Sequence, residues 1–132
     1  MSKERFKIEK RLDVVFSQFI RLRDKLKCQK CGKVYAGFTT GIQCSHFFGR
    51  RHRSTRWSEI NCKALCAGCH MHLTANPAIH REWYREKIGH DAYDRLEYLH
   101  SKSAHYTVND LKLLLWYYTR EANALKKTAG LA

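Results

Sequence analysis

Residues 44–72 read CSHFFGRRHRSTRWSEINCKALCAGCHMH, and upstream of them stands a separate pair, Cys28-Gln29-Lys30-Cys31. Together with Cys66-Ala67-Gly68-Cys69 this makes two Cys-x-x-Cys pairs. Four thiolates grouped in this way are a ligand set that tetrahedral zinc accepts, and a shell of four sulfurs leaves no position open for water. The expected ion is therefore a structural Zn2+ held by Cys28, Cys31, Cys66 and Cys69. Zinc binding in small modules is worth roughly 10–16 kcal/mol of apparent free energy, so such an ion drives folding where short strands and helices bury little. An iron–sulfur cluster needs similar ligands, but a redox role does not explain the charge described next. Cys44 and Cys62 have no Cys partner at ligand spacing and read as small buried packing residues.

Working outward, the chain has 132 residues, 44% of them hydrophobic, which suits one compact domain. Its 25 Lys plus Arg against 12 Asp plus Glu give a net charge of +13, far beyond what solubility requires. Such an excess favours a polyanionic partner, nucleic acid ahead of an anionic membrane surface. No run of about 18 apolar residues exists to span a bilayer. The N-terminus, MSKERFKIEKR, lacks the apolar stretch of a secretory signal. Six cysteines without such a signal point to a reducing compartment, so a cytoplasmic location is expected.

The expected fold class is α+β and mostly helical, with 1–132 as a single domain in three parts. Residues 4–26 form an N-terminal helix, since Ile8, Leu12, Val15, Phe16, Phe19 and Ile20 make one stripe opposite a basic face. Residues 28–75 form the zinc-bound core. Within it, 33–38 and 42–47 are expected to pair as a hairpin across Thr39-Thr40-Gly41, on the strength of their β-branched and aromatic residues. Residues 76–132 form a helical extension. Pro77 opens one helix that Gly89 ends, a second runs from Asp91 to about Ala104, and Thr107-Val-Asn-Asp110 caps a third reaching about Lys127. The centre of that last helix, LLLWYY at 113–118, is apolar around most of its circumference. It must be buried in the domain or against a second copy of the chain.

Between the zinc pairs lie His46, at the end of the 42–47 strand, Asn61, and His70 directly after Cys69. The fragment Asn61-Cys-Lys-Ala-Leu-Cys-Ala-Gly-Cys-His70 resembles the second half of the HNH endonuclease signature, and the resemblance covers about residues 28–75. It implies a zinc-stabilised ββα-metal core. A narrower resemblance covers almost the whole chain. FSQFIRLRDK, CQKCGK, CSHFFGRR, TRWSEINC, CAGCH and LTANPAIHREWYREKIG, followed by HDAYDRLE and YTVNDL, resemble the NinG/Rap family of phage recombination endonucleases. What this implies is metal-dependent cutting of branched DNA such as Holliday junctions and D-loops, in the cytoplasm of the host cell.

The chemistry is consistent with that resemblance. Hydrolysis of a phosphodiester needs a positioned water, a base to deprotonate it, and positive charge on the phosphate and the leaving oxygen. A histidine, with its usual pKa near 6.5, suits the base, and His46 is the candidate. A divalent ion, Mg2+ or Mn2+, suits the charge. By resemblance His70 is a ligand of that ion, and Asn61 orients the loop that carries His46 rather than touching substrate. Two positions depart from the family pattern: Ser45 stands where Asp or His is usual before the base, and Thr74 where some members have a further His. His72, Glu59 or the DNA phosphates are the candidates to complete the shell. The histidines at 52, 80, 90, 100 and 105 read as surface or packing residues.

Residues 49–57, GRRHRSTRW, are expected to form a basic loop beside the candidate base. Arg50, Arg51, Arg53 and Arg56 are the expected phosphate contacts, because guanidinium suits bidentate phosphate binding. Trp57 fits either stacking on an unpaired base or a core role. No recognition helix with base-reading side chains is evident, so structure-selective binding with steep salt dependence is expected. Two cuts per junction suit a two-fold dimer, for which the apolar C-terminal helix is the candidate interface. Two alternatives stand beside this reading: a zinc-stabilised DNA-binding protein without catalysis, and an HNH nuclease directed to sequence in linear duplex.

Overall fold

A computed structural model describes residues 2–131. In chain order the elements are α1 (Lys3–Arg23), β1 (Ile42–His46), α2 (Arg53–Arg56), a 3-10 turn (Glu59–Asn61), β2 (Cys62–Cys66), α3 (Ala67–Ala75), α4 (Pro77–Ile88), α5 (His90–His100) and α6 (Val108–Ala129). The fold is mostly helical α+β around a small two-stranded sheet. Among the described residues no helix is long and apolar enough to cross a membrane.

The two longest helices frame the molecule. The Ser2 side chain accepts the Arg5 amide and starts α1; Arg21 and Arg23 in the last turn complement the helix dipole. At α6, Thr107 and Asp110 form a reciprocal capping box, and Gly130 ends the helix in the left-handed region at φ 74°. The apolar stripes of these helices meet. Ile8, Leu12, Phe16, Phe19 and Ile20 of α1 pack with Leu111, Tyr118 and Ala122 of α6, and Cys62 and Trp57 join the same core. The LLLWYY centre is therefore divided. Tyr118 is buried, whereas Leu113, Trp116 and Tyr117 remain exposed.

The sheet corrects one expectation. Residues 33–38 do not form the hairpin partner of β1; they contribute a single bridge, Val34 to Lys27. The partner of β1 is β2, antiparallel, with Cys44 opposite Ala64 and His46 opposite Cys62. The 33–38 stretch is instead tied to the cysteine knuckle, where the Cys28 amide donates to the Lys33 carbonyl at 2.8 Å and the Tyr35 amide to Leu26 at 2.9 Å. Those bonds consume the backbone groups a strand ladder would need. β2 ends in Cys66, whose place in a Cys-x-x-Cys pair reads as a ligand turn and hides the strand before it.

The end of α1 fixes the sheet in place. The Arg23 guanidinium donates to the carbonyls of Glu59 at 2.8 Å and Cys62 at 2.6 Å, and the Asp24 carboxylate accepts the Ala64 amide at 2.8 Å. A second core of Leu26, Cys28, Ile42, Ala64, Leu65 and Leu73 sits beneath the knuckle. A third, Tyr84, Tyr93 and Leu96 with Phe47 and Phe48 against it, docks α4 and α5 on the other side. α1 ends at Arg23 rather than 26 and α5 at His100 rather than 104, and Arg53–Arg56 form a short helix inside the expected basic loop 49–57, where Arg53 and Arg56 are held by acids of α1.

Candidate functional site

Two sites emerge, one made of sulfur and one lined by histidines. The Sγ atoms of Cys28, Cys31, Cys66 and Cys69 all lie within 4.8 Å of one another, and those of Cys31 and Cys66 are 3.8 Å apart. Each pair folds back through an amide-to-sulfur bond, Cys31 N–H to Cys28 Sγ at 3.5 Å and Cys69 N–H to Cys66 Sγ at 3.4 Å. Gly32, at φ 83°, supplies the left-handed turn after the first pair. Burial opposes ionisation of Cys28, but backbone N–H groups around it bring its thiol down to about 6. Burial and the neighbouring thiols of Cys66 and Cys28 push Cys69 up to about 12. One thiol that ionises readily beside one that resists is the behaviour of sulfurs crowded together. A divalent cation relieves that crowding, and the donor set fits a structural zinc. An ion held there would join the 28–31 turn to the start of α3 and so lock the sheet to the helix that carries His70.

The second site is a cleft of about 340 Å3 lined by Asp13, Ser17, Cys44, His46, Gly49, Arg50 and His70. Both candidate histidines therefore face one space. The His46 Nε2 lies 3.0 Å from the Arg56 carbonyl oxygen. A carbonyl only accepts, so Nε2 carries the hydrogen and the lone pair is on Nδ1. Burial holds His46 below its usual 6.5, against the opposing pull of the Arg56 carbonyl. Burial thus favours the neutral ring. His70 is held similarly: its Nδ1 lies 2.7 Å from Gln43 Oε1, which leaves Nε2 with the free lone pair, and burial lowers its pKa. Gln43 escaped the sequence reading, since a lone glutamine on a strand carries no spacing signal.

Asn61 is fully buried and lies apart from the cleft. Its Oδ1 accepts the Phe48 amide at 2.9 Å, and its Nδ2 donates to the carbonyls of Phe48 at 2.9 Å and Thr55 at 3.0 Å. It thus closes the 47–61 connection on itself, directly after His46.

The four arginines separate into two kinds. Arg56 makes a fork to Asp13, Nε to Oδ1 at 3.2 Å and NH2 to Oδ2 at 2.6 Å, and Arg53 donates to Glu9 at 2.7 Å. Glu9 is itself buried on α1. Trp57 is buried and its Nε1–H donates to Asp13 at 3.0 Å, so the core alternative is the one realised. Arg53 and Arg56 therefore tie α2 to α1. Arg50 and Arg51 are exposed; Arg50 is at the rim of the cleft, 3.6 Å from Asp13. Asp13 carries no spacing signal in the sequence; an acid on an otherwise basic helix face is the one mark it offers.

The candidates for completing a metal shell are not gathered around His70. Ser45 is buried and does not line the cleft; Glu59 accepts the Tyr118 hydroxyl at 3.1 Å; His72 lies against Asn76. Thr74 is exposed on α3. Among the described residues, no cluster of three ligand atoms includes His70. The model of the family described as bacteriophage lambda NinG protein matches residues 1–128. The chain belongs to the NinG family. That membership points to a function connected with phage recombination. No curated protein and no solved structure matches the chain. For this NinG-family chain, the extent of the match means that cysteine knuckle, histidine cleft and helical extension all fall within one family pattern.

Proposed function

We propose that this NinG-family chain is a metal-dependent endonuclease of the HNH superfamily, with β1, β2 and α3 as its ββα-metal core. Its substrate is branched DNA arising in recombination, Holliday junctions and D-loops. The observation that carries the reading is the convergence of His46 and His70 on one cleft beside a basic rim, with the free lone pairs on His46 Nδ1 and His70 Nε2. His46 accepts a proton at Nδ1 from a water held against the phosphate. The water oxygen then bonds to phosphorus as one P–O ester bond breaks, and the leaving oxygen is protonated from solvent. Asn61 keeps the His46 loop in register by its three hydrogen bonds to Phe48 and Thr55.

A divalent ion, Mg2+ or Mn2+, supplies positive charge on the phosphate and the leaving oxygen. His70 would hold it through Nε2. Among the described residues no second protein ligand is clustered there, so water and phosphate oxygens would complete the shell of the ion. Arg50 and Arg51 contact the phosphate backbone, and Arg53 and Arg56 shape the rim from their ion pairs. A two-fold dimer through the exposed Leu113, Trp116 and Tyr117 face of α6 would supply two cuts per junction.

The scarcity of ligands around His70 is the one observation that favours a zinc-held DNA-binding protein without catalysis. A nicking assay on a four-way junction and its matched linear duplex, with Mg2+ or Mn2+, separates the readings. Wild type is expected to cut the junction preferentially, and His46→Ala to lose the activity while retaining its zinc and its junction binding. Equal behaviour of the two proteins refutes the nuclease, and preference for the duplex refutes the recombination substrate.

A further inference from the structure

The face of the sheet that meets α1 carries a second group of metal-ligating side chains. On a strand, residues two apart project to the same face, and directly opposed residues on paired strands share a face. Cys44 and His46 are two apart on β1, and Cys62 stands opposite His46 on β2. The sulfurs of both cysteines and a ring nitrogen of His46 consequently lie within 4.8 Å of one another. Cys62 is fully buried in the core built on Phe16, Phe19 and Ile20, while Cys44 and His46 line the cleft. The group is therefore anchored at one end and open to solvent at the other. None of these residues belongs to the four-cysteine cluster.

We propose that Cys44, His46 and Cys62 form a second cation site, selective for borderline-soft ions of the zinc class, with its fourth position facing the cleft. Two thiolates and one imidazole with a position left open is an established zinc ligand set. Thiolate donors disfavour Mg2+ and Mn2+, which prefer oxygen, so the site discriminates against the ions proposed to support cutting. Coordination releases the proton of each thiol to solvent and occupies the imidazole lone pair. That lone pair is the one His46 needs as a base. Occupancy therefore silences the cleft, an inference that rests on the nuclease reading above, whereas binding itself does not.

The test uses full-length protein with the four-cysteine cluster loaded, titrated with Cd2+ and separately with Zn2+. Thiolate-to-cadmium charge-transfer absorption and metal analysis after gel filtration count the ions. Wild type is expected to take up one equivalent beyond the structural ion, and both Cys44→Ala and His46→Ala to lose it. Removal of a direct ligand should weaken the extra ion by more than about 100-fold, past the range seen for outer-shell partners. His46→Ala serves as the second variant should Cys44→Ala fold poorly, with circular dichroism as the check. No extra equivalent in wild type, or an extra equivalent retained in both folded variants, overturns the site. In junction nicking with excess Mg2+, one added equivalent of Zn2+ should suppress wild type and spare Cys44→Ala, each relative to its own rate before the addition. Zinc bound at the site without suppression overturns the silencing. Absence of nicking by wild type that holds only the structural ion refutes the nuclease reading and leaves the binding result standing.

Discussion

Replacing Asn61 by Ala removes three hydrogen bonds at once: Phe48 N–H to Oδ1, and Nδ2 to the carbonyls of Phe48 and Thr55. The Thr55 carbonyl keeps other partners, since it also accepts the Ser58 and Trp57 amides. Among the described residues, the Phe48 N–H and C=O have no partner besides Asn61. At about 1 kcal/mol net for each of the three bonds, the loss comes to about 3 kcal/mol. For a chain of this size that corresponds to a fall in Tm of roughly 10 °C. Asn61→Asp is the companion variant. It keeps volume and the acceptor for Phe48 N–H but turns a carboxylate oxygen toward two carbonyls, so it should cost at least as much. Urea and thermal unfolding at saturating zinc measure both. A loss under about 1 kcal/mol for both variants, with zinc retained, would show that the 47–61 connection does not depend on this side chain. At a temperature where Asn61→Ala is still folded, nicking should nevertheless be lost.

Three further outcomes follow from the same geometry. His46 is held below 6.5 chiefly by burial, so the acid limb of kcat/KM for nicking, which reports the free enzyme, should fall below pH 6.5; a limb above that value refutes His46 as a buried base. The sign for stability agrees: with the folded value depressed, its contribution is complete above 6.5 and is lost as pH falls from 6.5 through the folded value, where the unfolded chain takes up the proton first. Chelating the four-cysteine zinc should unfold the sheet and α3, because the roughly 10–16 kcal/mol of a structural zinc site rivals the whole stability of a small domain; an unchanged melting curve in metal-free protein, checked by elemental analysis, contradicts the structural role. Arg51→Ala should reduce the slope of log K against log salt for junction binding by about 1, whereas Arg56→Ala should cost stability by about 3 kcal/mol because it leaves the partly buried Asp13 and buried Glu9 short of a partner; equal salt slopes for Arg51→Ala and wild type, or an unaltered melting point for Arg56→Ala, contradict that division.

The sequence by itself determined what depends on local spacing. The two Cys-x-x-Cys pairs, the apolar stripe of α1, the Pro77 start, the Gly89 stop and the Thr107–Asp110 cap are set by residues within a turn or two of each other. Their outcome is therefore nearly independent of the rest of the chain. The candidate residues His46, Asn61 and His70 were legible for a different reason, the family resemblance, which carries information that spacing alone does not. Tertiary structure decided whatever depends on partners distant in sequence. β1 had two possible neighbours, and the knuckle's hydrogen bonds from Cys28 and Tyr35 removed one of them. Arg53 and Arg56 look the same as Arg50 and Arg51 in a string of letters; only the approach of Glu9 and Asp13 from α1 turns the first two inward. Likewise Cys44 and Cys62, far apart in the chain and unremarkable there, come within reach of His46 because β1 and β2 pair in one register. A slip of one residue in that pairing would send one strand's side chains to the opposite face of the sheet, and with them the whole group.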